Sequence, residues 1–182
     1  MFDASVGRHG LPIAERASET SGASVSWLKE HGGGDEVIAW RGRLSDLTVV
    51  GRPGDSDDVL TPMVLNAAIF ETGRPVMVVP PKSESIARKR VAISWNGSQQ
   101  SARAVSSAIK ILEQADAVMV LTADSSRTSG TRGPELASYL EWHGIQPDTK
   151  VFESPAGSVG PRLLEECTKF GADLLVTGAY TH

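Results

Sequence analysis

The chain has a single cysteine, Cys167, in 182 residues, so an intramolecular disulfide is excluded. It lacks a surplus of positive charge. Its 18 Lys and Arg stand against 22 Asp and Glu, and the formal net charge of -4 gives no basic field to attract nucleic acid. No apolar run approaches the roughly 20 residues that a membrane helix needs. The opening Met1-Phe-Asp-Ala-Ser has no charged segment followed by an apolar one, as a secretory leader would. These absences predict a cytoplasmic protein with neither nucleic acid nor membrane as partner. Chemical signatures are missing too: there is no Walker A loop, no G-x-G-x-x-G and no G-x-S-x-G. His9, His31, His143 and His182 are scattered without ligand spacing, so no metal is expected. Cys167 follows Leu163 and Leu164 at helical spacing and precedes Phe170, which predicts a buried, inert thiol. Trp27, Trp40, Trp95 and Trp142 sit singly in unrelated stretches and are expected to pack. No base–nucleophile pair is visible, and no catalytic residue is expected.

What is present is a pattern that occurs twice. Ser45-Asp46-Leu47-Thr48-Val49-Val50-Gly51 and Ala172-Asp173-Leu174-Leu175-Val176-Thr177-Gly178 each place an acidic residue before an apolar run and a glycine after it. A helical pattern precedes each. This is a helix feeding a buried parallel strand that leaves the sheet at glycine. In open α/β sheets ligands bind beyond the carboxyl ends of strands, so Gly51 and Gly178 mark where function is sought.

In chain order, Leu11 to Ser21 predicts a helix, Ala23 to Lys29 a strand, and Asp35 caps a short helix carrying Val37, Ile38 and Leu44. Strand Leu47–Val50, helix Leu60–Thr72 and strand Pro75–Val79 follow, with Pro80-Pro81 as a stop. Residues 82–90 are short, polar and basic and read as a linker with solvated charges. The pattern then restarts. Strands are expected at Val91–Trp95, Ala117–Leu121, Asp148–Phe152 and Leu174–Thr177, and helices at Ala102–Leu112, Glu135–His143 and Ser158–Phe170. Ser125 to Gly133 reads as a loop. Such alternation predicts a doubly wound parallel α/β sheet.

The stretch Val91-Ala-Ile-Ser-Trp-Asn96-Gly97-Ser98, followed by an Ala-rich helix, resembles the first strand and loop of universal stress protein (UspA-like) domains. Gly171-Ala-Asp173-Leu-Leu-Val-Thr-Gly178 is similar to that family's fourth strand. Ser45-Asp46-Leu-Thr-Val-Val-Gly51-Arg-Pro and Gly73-Arg-Pro-Val-Met-Val-Val-Pro80 resemble strands four and five of an earlier copy. The resemblance implies the adenine nucleotide alpha hydrolase-like fold in two tandem copies, residues 1–81 and 91–182, joined by 82–90. It implies that both copies are incomplete, leaving Leu174–Thr177 as a sheet edge. It also implies stress response by binding a small ligand, an adenine nucleotide such as ATP included, without turnover. The binding residues carried over are Asn96, Gly97, Ser98, Gly178 and Ala179. The alternative is a signalling or scaffold module that acts through a homodimer or internal pseudo-dimer at Pro75 to Val79.

Nucleotide-binding members show Gly-x-x-Gly, a nine-residue spacer and Gly-Ser/Thr after the fourth strand, where backbone N–H groups receive phosphate. Gly51-Arg52-Pro53-Gly54 matches the first half, but Val64 stands at the third glycine and Asp55, Asp57 and Asp58 repel anions. A structural turn is expected there. In the second copy Thr181 replaces the second glycine. Asn96 stands where the family has Asp, and offers hydrogen bonds without charge. A local Asx-type turn or helix cap is an equal expectation for it.

Overall fold

The computed structural model describes residues 6–7, 9–16, 20–54, 60–81, 89–124, 132–154 and 158–179. Its elements run α1 (Gly34–Gly42), β1 (Thr48–Gly51), α2 (Leu60–Glu71), β2 (Val76–Val79), β3 (Arg90–Ser94), α3 (Gln99–Leu112), β4 (Ala117–Asp124), α4 (Gly133–Glu141), β5 (Asp148–Glu153), α5 (Val159–Phe170) and β6 (Leu174–Thr177). They build two parallel sheets, one of two strands in the order β1-β2 and one of four in the order β5-β4-β3-β6. The linker stretch 82–88 lies outside the described residues.

The larger sheet is buried on both faces at its central strands β3 and β4. Val91 and Ile93 of β3 join Val118 and Val120 of β4 in one cluster with Val105, Ala108 and Leu112 of α3 and Leu136 and Leu140 of α4. The intervening residues Ala92 and Leu121 turn the other way, to Leu163 and Cys167 of α5. Near-continuous apolar strands are what two covered faces require. Each fully buried Val, Ile or Leu stabilises the fold by about 1.5–3 kcal/mol relative to exposure. The chain steps from β3 to β4 to β5 in one direction, then α5 carries it back to the far side of β3. Crossovers of a single hand put α5 on the opposite face from α3 and α4. The sheet is thus doubly wound, as the sequence predicts.

Local chemistry fixes the element ends. Ser98 caps α3, its Oγ accepting from the Ser101 amide at 3.2 Å. Gly171 ends α5 at φ 70°, a left-handed conformation that glycine adopts without strain, and the Ala172 amide donates back to the Cys167 carbonyl at 2.9 Å. The acidic residue ahead of β6 has a definite role. The Asp173 carboxylate accepts the backbone amides of Lys89 and Arg90 at 3.0 and 3.2 Å, which staples the starts of β3 and β6 together. Arg90 is therefore not a solvated linker residue. It opens β3, donates Nε to the Phe170 carbonyl at 2.8 Å and lies over the Phe170 ring.

The first part of the chain departs most from expectation. Residues 11–16 form no helix; Ile13 makes an isolated parallel bridge to Val25, and the strand expected at Ala23–Lys29 reduces to that bridge. The weak apolar periodicity there left nothing to hold a helix against a core. Gly33, not Asp35, is the N-cap of α1, and Leu44 lies beyond that helix, exposed. Trp27, Trp40 and Trp142 are exposed as well, Trp142 to 91%, and among the tryptophans Trp95 packs against the core. Asp124, Gly133 and Glu153 fall inside elements that the sequence reading ended or began short of them.

One buried charge sits on the face of the sheet that α5 covers. Glu166 of α5 is 4% exposed and is paired with Lys150 of β5 at 2.5 Å and Lys169 at 2.6 Å. Hydrogen bonding from Lys150, then from Lys169, outweighs the opposing desolvation and holds its carboxyl at about 2, well below the ordinary 4.5. A depressed pKa stabilises the fold above the unfolded-state value, and that contribution fades as pH falls from about 4.5 towards 2. Urea unfolding at pH 5 and pH 2.5 should show a smaller acid-induced loss of stability in E166Q than in the parent chain. Equal losses would mean that the Lys150–Glu166–Lys169 group does not respond to acid.

Candidate functional site

The order β5-β4-β3-β6 has its switch point between β3 and β6, where successive connections leave in opposite directions. The ground beyond the carboxyl ends of strands at such a point is the general ligand position in open α/β sheets. Ser94 and Thr177 are the last paired residues, so the chain beyond each flanks that position. Asn96, Gly97 and Ser98 follow Ser94; Gly178 and Ala179 follow Thr177. The five residues proposed from sequence therefore converge from the ends of two adjacent strands, although 80 residues separate the two groups along the chain.

On the β3 side, Asn96 Oδ1 accepts the Ser98 amide at 3.1 Å, the expected Asx-type turn. That bond uses Oδ1 and leaves the amide NH2 as the donor end of the side chain. Gly97 has φ 72°, a left-handed conformation that makes glycine the natural residue here. Ser98 is spent on the cap of α3: its Oγ accepts the Ser101 amide, and its carbonyl accepts the Ser101 hydroxyl at 2.9 Å. Loss of such a cap costs about 1 kcal/mol.

On the β6 side, Gly178 passes directly over the first turn of α3. A methyl group at Gly178 would stand 2.6 Å from the Ser101 amide nitrogen, 2.8 Å from the Gln100 carbonyl carbon and 3.0 Å from Gln100 Cβ. Two of these three atoms are backbone and cannot swing away. The glycine that ends the repeated motif is thus required by close backbone approach, a cause distinct from its role as a strand exit.

Two neighbours were not found from sequence. Arg132 precedes α4 and reaches across the loop, so that a methyl group at Gly97 would lie 3.3 Å from Arg132 Cδ and 3.7 Å from its Nη1. Thr122 of β4 is 6% exposed, and its hydroxyl has no hydrogen-bond partner among the described residues. The indole Nε1 of Trp95 is also buried without a partner. No motif announces these residues, because they meet the crevice through sheet order and not through sequence spacing.

The other expected features are structural. Gly51 ends β1, and the Arg52 amide donates to the Val79 carbonyl at 2.8 Å, so this turn extends the β1–β2 ladder; Asp55, Asp57 and Asp58 lie outside the described residues. Cys167 is buried in the α5 cluster, and desolvation pushes its thiol pKa up, as suits an inert group. Among the described residues no group of three His, Cys, Asp or Glu could hold a metal ion, and no helix is long and apolar enough to cross a membrane. Thr181 and His182 lie outside the described residues.

A scan against protein-family models finds no match, and no curated protein matches the chain. Among solved structures, it is similar to protein Rv1636 from Mycobacterium tuberculosis H37Rv, with 21% identity and a TM-score of 0.43 over 50% of this chain and 71% of that one. It is also similar to a protein from the universal stress protein family from Burkholderia pseudomallei, with 18% identity and a TM-score of 0.44 over 53% of this chain and 85% of that one. The reading of the site rests on this chain's own geometry.

Replacing Gly178 with Ala tests the close approach. The added methyl must push β6 off α3, at a cost of about 1–3 kcal/mol typical of overpacking. Urea unfolding should register that loss, whereas G51A, at a position with open space around it, should leave stability within about 1 kcal/mol. Equal stability of G178A and the parent would refute the contact.

Proposed function

We propose that the chain is a stress-response module of universal-stress-protein type that holds a small ligand of adenine-nucleotide kind in the β3–β6 crevice without turning it over. One observation carries this reading: the loop Asn96–Ser98 and the segment Gly178–Ala179 leave adjacent strands at the same switch point of the sheet. The sequence resemblance at the same residues supports the choice of ligand. Asn96 offers its amide NH2 to a ribose hydroxyl or a base edge, and the glycine backbones let a flat ligand approach closely. Among the described residues at these strand ends no base is paired with a nucleophile, which favours binding over catalysis in this reading.

Isothermal titration of the full chain with ATP should give saturable heat, and N96A should weaken binding about fivefold, the worth of one net hydrogen bond near 1 kcal/mol. Phosphate release should stay at the level of a protein-free blank. No heat at millimolar ATP, with the protein folded by circular dichroism, would discard the nucleotide; release that disappears in N96A would make the chain an enzyme.

A second reading is an interface at β2, favoured by a backbone observation. The bonds Thr48 N–H to Pro75 C=O and Arg52 N–H to Val79 C=O fix the alternation of the β1–β2 ladder. That alternation turns the N–H and C=O of Val76 and Val78 to the other edge, which pairs with no strand among the described residues. Val49 and Val78 are also 57% and 41% exposed. V78P should therefore leave β1–β2 pairing intact and lower any self-association seen by sedimentation. An unchanged oligomer would exclude this strand as the interface.

A further inference from the structure

The proposed crevice has two helix N-termini beside it, and they differ. That of α3 is closed: Ser98 Oγ takes the Ser101 amide, and Gly178 packs over the same nitrogen. An anion cannot displace both without undoing the contact between β6 and α3. That of α4 has no side-chain cap, and its N-cap residue is Arg132. The Arg132 guanidinium has no ion pair or side-chain hydrogen bond among the described residues, and its stem lies against Gly97, in the loop that carries Asn96. Thr122 supplies an independent sign. Its hydroxyl, more than nine-tenths buried and unpartnered, points at the start of α4, 3.3 Å from where a methyl group on Gly133 would lie. A buried hydroxyl with nothing to bond costs stability unless a ligand or water answers it.

We infer that the ligand of this crevice is phosphorylated and that its anionic group is received on the β4 side, by Arg132 and the uncapped start of α4, and not beyond β6. This rests on the reading of the β3–β6 crevice as a ligand site. The physical basis is charge. Asn96 is neutral and the backbone at Gly178 contributes no cation, whereas Arg132 brings a formal positive charge against the binding loop. Glu135 in the first turn of α4 offsets part of that helix's field, which makes the guanidinium the larger contributor to holding an anion. Arg132 acts here as a positioning and specificity residue: it favours a nucleotide over the nucleoside that shares its base and sugar.

The test titrates ATP and adenosine separately into the full chain and into R132Q and R132K. Arg132 is exposed, and circular dichroism checks that each variant is folded. ATP should bind the parent chain more tightly than adenosine, and R132Q should weaken ATP about tenfold while leaving adenosine within about twofold. R132K, which keeps the charge and loses the planar fork, should fall between. The inference is overturned if the parent prefers ATP but R132Q keeps that preference, because the phosphate is then held elsewhere. It is equally overturned if R132Q weakens both ligands alike. If the parent binds neither ligand, the crevice reading itself fails and this inference fails with it.

Discussion

The approach of the Gly178 backbone to the first turn of α3 is the contact on which the site depends. β6 reaches β3 by a crossover that returns from the far edge of the sheet, and strand pairing alone would fix its direction but not how its end meets the helix. The absence of a Cβ lets the chain pass so close to Ser101 and Gln100 that the end of β6 and the start of α3 form one wall. At the other end of the same strand pair, Asp173 ties the starts of β3 and β6 through two backbone amides. The pair is therefore held at both ends, by a charge-assisted staple below and by backbone contact above. A crevice at a switch point is useful only if its walls keep their spacing, and these two devices supply that.

The same wall decides where charge can go. Capping α3 with Ser98 satisfies the helix locally and removes it as an anion receptor. The polar capacity of the site moves to the other side of the Asn96–Ser98 loop, where the Arg132 side chain, the Thr122 hydroxyl and the Trp95 indole have no partners among the described residues. In a buried setting unpartnered polar atoms are costly, and the Thr122 hydroxyl and Trp95 Nε1 are two of the five such side-chain atoms among the described residues. The two lysines on Glu166 show the contrast: on the face covered by α5 the buried carboxylate is ion-paired by Lys150 and Lys169.

The strands and helices of the second part of the chain were legible because burial on both faces writes itself into sequence as apolar runs, and helices as spaced apolar faces. Val91–Trp95, Ala117–Leu121 and Leu174–Thr177 were placed within a few residues for that reason. The stretch before Gly34 was not legible: Ile13 and Val25 have suitable residues, but no neighbouring element turns them into more than a single bridge. Asn96, Gly97, Ser98, Gly178 and Ala179 were found by resemblance and by the rule about strand ends. Arg132 and Thr122 were missed, because their proximity arises from α4 starting over β4 and β5 and leaves no trace in local spacing. The reason for glycine at 178 was half visible. A strand exit could be read, whereas the close approach needed coordinates.

The central claim is that a ligand sits between the ends of β3 and β6. Amide chemical-shift mapping of the isotope-labelled full chain during ATP addition tests it most directly. The account predicts that saturable shifts concentrate at Asn96, Gly97, Ser98, Gly178 and Ala179 and extend to Gly133, with Gly51 to Gly54 unmoved. Shifts centred on the Gly51–Gly54 turn, or spread without a focus at the end of β3, would contradict it.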